Sequence, residues 1–256
     1  MEKLASSLTA WIRERVLEAG QRGVIVGLSG GLDSAVVAVL AKRAFPENCM
    51  GIVMPCQSSE ADVEHAEAVA RQFNIPVRTV SLDETYDSLL RSLPTEGLEA
   101  GASKLAEANL KPRLRMVVLY YVANRLQYLV AGTGNRSEIS VGYFTKFGDG
   151  GVDILPLGNL VKSEVRELAR HLGIPEEILR KPPSGGLWEG QTDEDELGIT
   201  YLDLDRYLVT GQATKEVKDR VDGMMSRSEH KRATPPVPPF GGGKGALEPD
   251  NGCTGD

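Results

Sequence analysis

The chain opens with apolar residues at helical spacing, Leu4, Leu8, Trp11, Ile12 and Val16, followed by Gly20, which predicts an amphipathic helix with a glycine stop. Four short, continuous aliphatic runs come next, at residues 24–28, 50–54, 77–80 and 126–131. Unbroken runs of this length are what parallel strands buried on both faces show. Between them lie helical patterns at 34–44, 61–73 and 113–125, each with an apolar face wide enough to cover a sheet. The alternation predicts an α/β fold, a Rossmann-like parallel sheet flanked by helices. The third helix is apolar almost all round, from Met116 through Val117, Val118, Leu119, Tyr120, Tyr121 and Val122 to Ala123. That pattern predicts cover on both sides, by the sheet and by either deep core or a second subunit. After residue 150 the pattern breaks into short helices at 162–172, 175–180, 200–208 and 215–226. From Thr234 onward Pro and Gly dominate without periodicity, as in a tail that wraps the surface or stays mobile.

The first strand runs directly into Ser29-Gly30-Gly31-Leu32-Asp33-Ser34 and then into a helix. Small residues at such a turn let backbone N–H groups and the positive helix end surround a polyanion. The spacing is neither that of the Gly-Lys-Ser/Thr loop nor that of the dinucleotide fingerprint. Ser29 and Ser34 add hydroxyl donors, and Asp33 has the hard oxygens that a magnesium ion prefers. Loop composition alone leaves a plain glycine turn as the alternative. Glu138 is expected on the loop after the fourth strand, at the carboxyl edge of the sheet, where it can approach Asp33. Lys162 stands near a helix start, an unfavourable place for a cation that a bound phosphate would explain, with an ordinary exposed lysine as the commoner alternative. The loop 146–153 mixes glycines with aromatic, cationic and acidic groups, which suits a nucleotide or, more plainly, a mobile turn. His65 and His171 fall in charge-rich helices and read as surface residues.

Composition narrows the setting. The 256 residues are 41% hydrophobic and 25% charged, enough for one main domain with appendages. A formal charge of -7 argues against nucleic-acid backbone as a partner and favours a small molecule. Three cysteines, Cys49, Cys56 and Cys253, follow no disulfide spacing and read as small core residues. With no signal-like apolar core near the amino terminus and no spanning apolar run, a cytoplasmic protein without a membrane partner is expected.

The Ser-Gly-Gly-x-Asp-Ser loop resembles the pyrophosphate loop of the ATP pyrophosphatases, enzymes of the adenine nucleotide alpha hydrolase-like fold that adenylate a substrate oxygen. A second set of segments narrows the choice: Gly132-Thr133-Gly134-Asn135-Arg136-Ser137-Glu138, then Gly142 to Asp153, Leu155-Pro156-Leu157 and Lys162. With Pro112-Arg113-Leu114-Arg115-Met116 and His230-Lys231, these are similar to the ammonia-dependent NAD synthetases over most of residues 4–232. The resemblance implies that Gly27, Leu28, Ser29, Gly30, Gly31, Leu32, Asp33, Ser34, Thr133, Lys162 and Ser184 contact ATP. Ser184 stands where that family usually has threonine. It further implies Mg2+ on Asp33 and Glu138, deamido-NAD contacts from Arg113, Lys146, Asp153, His230 and Lys231, and an ammonia site at Asp149, with Asp149 and Lys162 in catalytic roles. The implied reaction turns ATP, ammonia and deamido-NAD into NAD, AMP and pyrophosphate in a homodimer that pairs through the 113–125 region. Residues 1–233 are expected to form a single synthetase domain, with 234–256 as its tail. Because the phosphate loop begins at Ser29, no glutamine-splitting domain is expected ahead of it. A tRNA-thiolating relative would need a basic surface or a reactive cysteine pair. A sensor without catalysis would have no need of Asp33, Glu138 and Lys162.

Overall fold

The computed structural model describes residues 1–94, 103–188 and 190–239. Helix α1 (Glu2–Glu18) leads into the first strand, β1 (Gly23–Gly27), and α2 (Leu32–Ala44) returns to β2 (Cys49–Val53). The chain continues through α3 (Glu60–Gln72), β3 (Val77–Thr79), α4 (Asp83–Ser92), α5 (Ser103–Ala108), α6 (Leu110–Leu126) and β4 (Tyr128–Ala131). The sheet is parallel throughout, in the order β3-β2-β1-β4. Val24 pairs with Cys49 on one side and with Leu129 on the other, so β1 is central. The expected α/β architecture is the one observed.

The helices that follow are α7 (Arg136–Val141), α8 (Lys162–Leu172), α9 (Glu176–Arg180), α10 (Asp193–Leu197), α11 (Tyr201–Thr210), α12 (Lys215–Arg227) and α13 (Glu229–Arg232). One core cluster joins α1, α2, α3, α8 and α9 to a face of the sheet, with Ile12, Val36, Leu40, Leu157 and Leu168 fully buried. The other face packs against α4 and α6 through Ile25, Ile52, Tyr86 and Ala123. A third, smaller cluster ties α7, α11 and α12 together around Leu204 and Val221.

Several expectations are corrected. The fourth strand starts at Tyr128 rather than residue 126, because Leu126 still belongs to α6. Gln127 then turns the chain with a left-handed φ of 59° and holds Arg22 through its carbonyl. Helices α4, α5, α7, α10 and α13 escape the periodicity reading because all but α4 are six residues or fewer. The expected two-sided burial of α6 is not met within the chain: Val117 and Tyr121 are 58% and 63% exposed on the face away from the sheet. His171 is exposed and pairs with Glu2 at 2.8 Å, whereas His65, expected at the surface, is half-buried with its Nδ1 unpartnered. Cys49 and Cys56 are free and buried, and burial pushes the Cys49 thiol up to about 12. Cys253 and the tail beyond residue 239 lie outside the described residues. Among the described residues, no helix is long and apolar enough to cross a membrane.

The left-handed Gln127 carries a Cβ in a conformation that disfavours one. Gln127→Gly should therefore raise the unfolding free energy by about 1 kcal/mol, in line with the glycine preference at this helix-end position. A urea midpoint that stays the same or falls would count against this.

Candidate active site

The glycine turn lies at the carboxyl end of β1. Gly30 has φ of 74°, and a Cβ there would run into the carbonyl of Asp62, so only glycine fits both the backbone and the neighbour. The turn closes on itself through hydroxyls. Ser34 Oγ donates to the Gly31 carbonyl at 3.0 Å, and Ser29 Oγ accepts from Gly31 N at 3.2 Å. Asp33 and Ser34 then sit in the first turn of α2.

At the end of the neighbouring strand β4, Asn135 caps α7. Its side chain accepts from Glu138 N at 3.1 Å while its own N–H donates to Glu138 Oε2 at 3.2 Å. This reciprocal cap fixes Glu138 on the first turn of α7, in place of the loop position expected. Asn135 is fully buried, and its Nδ2 donates to Asp33 Oδ1 at 3.0 Å. One asparagine thus orients both carboxylates.

Lys162, the first residue of α8, completes the arrangement. Its Nζ lies 2.5 Å from Asp33 Oδ2 and 3.0 Å from Glu138 Oε1, with the residue only 4% exposed. The two acids explain the cation at a helix start, where a phosphate was expected to do so. Its backbone N–H donates to Ser137 Oγ, which itself donates to Asp205, and the other Asp205 oxygen accepts from Ser163 N. Burial works against the charged amine, but Asp33 and Glu138 outweigh it and hold Lys162 protonated above its ordinary value. Burial raises Glu138 to about 7 against the pull of Lys162, and the like charge of Asp33 adds to the rise.

These groups face a cavity of about 460 Å³. Of the residues singled out from the sequence, Gly27, Leu28, Ser29, Gly31, Leu32, Asp33, Ser34, Thr133, Glu138, Asp149, Lys162, Ser184 and Lys231 line it. Gly30 lies behind the turn. Asp149 is exposed at the rim and accepts from Thr145 N at 2.9 Å. Lys231 reaches the carbonyls of Gly142 and Phe144, both at 2.8 Å.

Arg113, Lys146, His230 and Asp153 are not among the cavity lining. Arg113 donates to the Lys146 carbonyl and Lys146 to the His230 carbonyl, so these three share one exposed patch. Both Asp153 oxygens already accept hydrogen bonds, from Tyr120 Oη and from Val130 N. The cavity roof is the segment 181–188. It is held by the Lys181–Asp62 ion pair and by Lys111 Nζ on the Leu187 carbonyl at 2.7 Å.

Sequence reasoning missed several contributors. Asn135 was legible, since an asparagine followed three residues later by Glu is a capping signature. Asp193 and Tyr201 carry no local signal. Asp193 is buried against the cavity; its Oδ2 accepts from Tyr201 Oη at 2.9 Å, its Oδ1 has no partner among the described residues, and burial raises its carboxyl. Arg115 and Arg166 also line the cavity, and among the described residues neither has a carboxylate partner and the buried Arg166 Nε has no hydrogen-bond partner.

A glycine turn, two carboxylates and a buried lysine at the carboxyl edge of a parallel sheet define a nucleotide-handling α/β enzyme of the adenine nucleotide alpha hydrolase-like fold. The NAD synthase family model matches residues 4–235, and the chain belongs to that family. It is 55% identical over 237 residues to an NH(3)-dependent NAD(+) synthetase of Carboxydothermus hydrogenoformans, covering 93% of this chain and 97% of the relative. It is also similar to the NMN synthetase structure from Francisella tularensis, at 38% identity and a TM-score of 0.88, covering 93% and 98% of the two chains. A glutamine-dependent NAD+ synthetase from Acinetobacter baumannii is 30% identical with a TM-score of 0.66; there the match spans 92% of this chain but 46% of the other.

Tyr201→Phe removes the hydroxyl that donates to Asp193 Oδ2 and deprives that buried carboxyl of its 2.9 Å hydrogen bond. A loss of about 1–3 kcal/mol of stability is expected, read as a thermal midpoint several degrees lower, and an unchanged midpoint would contradict it.

Proposed function

We propose that this chain is an ammonia-dependent NAD synthetase, which forms a C–N bond by adenylating deamido-NAD with ATP and displacing AMP with ammonia. The observation that carries this reading is the meeting of Asp33, Glu138 and Lys162 beneath the glycine turn, in a chain of the NAD synthase family. A nicotinate carboxylate oxygen attacks the α-phosphorus of ATP, and the bond to the departing pyrophosphate breaks. Loop amides from 29–34, Lys162 and Arg166, which has no carboxylate partner among the described residues, are suited to the charge that builds on the phosphates. Ammonia then attacks the acyl carbon and AMP leaves. Asp149, which lines the same cavity and whose carboxyl is raised by desolvation, suits the role of taking the surplus ammonium proton.

Asp33 and Glu138 offer oxygen donors only, oriented by the side-chain and backbone N–H groups of one asparagine, and this set fits a hard divalent cation that keeps water and phosphate as further ligands. When bound there, Mg2+ neutralises phosphate charge. Thr133 and Ser184 line the same cavity and suit the nucleotide. The Arg113, Lys146 and His230 patch suits the far half of a dinucleotide. It adjoins the open face of α6, where Val117 and Tyr121 are uncovered, and this supports a homodimer built on that face with the dinucleotide close to it. Residues 1–233 are read as one working unit with an appended tail, a reading that the match over 4–235 favours. Free, buried thiols at Cys49 and Cys56 suit a reducing cytoplasm.

One observation favours a second acceptor, the mononucleotide: the likeness to an NMN synthetase at a TM-score of 0.88. A mononucleotide would fill the cavity without needing the outer patch.

The deciding assay supplies ATP, magnesium, deamido-NAD and either ammonium chloride or ammonia-free glutamine, and follows NAD and AMP together. Equal amounts of NAD and AMP with ammonium, and none with glutamine alone, are expected. Comparable rates with glutamine would overturn ammonia dependence. A higher kcat/KM with nicotinic acid mononucleotide would shift the reading to the second acceptor.

The proposed dimer has its own measurement. Sedimentation at micromolar concentration should show two chains, and Val117→Asp should dissociate them; a monomeric wild type with full activity would rule the dimer out.

A further inference from the structure

Lys162 occupies a position that a cation can hold only because two acids surround it. Among the described residues it is the only cation paired with either Asp33 or Glu138. The remaining oxygen of each acid is taken by Asn135, through its Nδ2 for Asp33 and its backbone N–H for Glu138. The oxygens free to face one another are therefore the two that the ammonium bridges. A divalent cation drawn to those oxygens would meet a positive charge already seated between them, in a setting with little water to screen it.

We infer that the Lys162 ammonium and a divalent cation are alternative occupants of the Asp33–Glu138 pair, so that Lys162 guards the pair against free metal until a polyphosphate draws its ammonium away. This rests on the reading of Asp33 and Glu138 as metal ligands. The side chain has somewhere to go. Its Nζ stands over the Tyr201 ring, 5.2 Å from the centroid, and faces the same cavity as the glycine turn. Phosphates seated on that turn offer the ammonium new anionic partners. Beyond the Tyr201 hydroxyl, Asp193 Oδ1 is an acceptor without a partner among the described residues. Metal and nucleotide then assist one another: the nucleotide draws Lys162 off the acids, the acids take the metal, and the metal in turn strengthens nucleotide binding by the same factor. Metal entering without nucleotide gains little.

The probe is Mn2+ alone, titrated into the full chain without nucleotide and followed by the electron paramagnetic resonance of the free ion. Wild type should show only weak binding. Lys162→Met, which keeps the length and removes the charge, should bind one Mn2+ per chain at least tenfold more tightly, and adding Asp33→Asn should abolish the gain. The Met variant leaves two acids facing one another unneutralised, so it should melt lower than wild type and recover on adding Mn2+, whereas the wild-type midpoint should not respond. Lys162→Gln repeats the comparison with a polar neutral side chain in case the Met variant fails to fold. Equal Mn2+ affinity in wild type and both neutral variants overturns the exchange. Mn2+ binding in the presence of ATP separates the two ideas. If the neutral variants show no gain but Asp33→Asn still weakens binding with ATP, the metal reading stands and the exchange falls. If Asp33→Asn has no effect in either setting, both fall.

Discussion

The ion pair between a buried ammonium and two carboxylates constrains everything around it. Removing one partner from such a group leaves an uncompensated buried charge, commonly at a cost of about 3–5 kcal/mol. The three groups come from the starts of three helices, α2, α7 and α8, so none of those helices can shift without the others. Asn135 and Asp205 extend the same logic outward. The first aligns both acids, and the second holds the backbone that presents Lys162. The polar centre is thus a joint between helices as well as a place for chemistry.

Sheet topology explains why the joint lies where it does. From β1 the chain moves outward to β2 and β3, then crosses back to lay β4 on the other side of β1. The connections leaving β1 and β4 therefore diverge, and a crevice opens between them at the carboxyl edge. Ligands of open parallel sheets settle at this kind of switch point. The glycine turn after β1 and the capped helix after β4 form its two lips.

What was legible in the sequence follows from the range over which each signal acts. The strands announced themselves because burial on both faces demands unbroken aliphatic runs, and Ser29 to Ser34 because a tight turn under a polyanion needs glycine and hydroxyls in succession. The short helices α10 and α13 did not, since fewer than two turns leave no period to read. Leu126 was taken for strand because an apolar residue at the end of a buried helix looks the same as one at the start of a strand; only the left-handed Gln127 marks the border. The partners of Asp193 were invisible for a different reason. A buried carboxyl held at one oxygen by Tyr201 from the following helix depends on three-dimensional packing, and neither residue type signals it. For Lys162 the sequence showed the anomaly, a cation at a helix start, and offered a phosphate or plain exposure as its cause; the acid pair that buries it is assembled from positions 24 and 129 residues away and leaves no local signal.

The pairing of Lys162 with Asp33 spans 129 positions of chain, and this bears on how the protein is made. Contacts so distant close slowly, because a long loop must be ordered before it is rewarded. During synthesis β1 can pair with β2 early, yet its other edge stays bare until residues 128–131 have emerged. A central aliphatic strand with one open edge is a template for pairing with a neighbouring nascent chain. Productive folding of this protein is therefore a race between delivery of β4 by the ribosome and capture of β1 by another molecule, and slower translation through the α6 codons would lengthen the exposure.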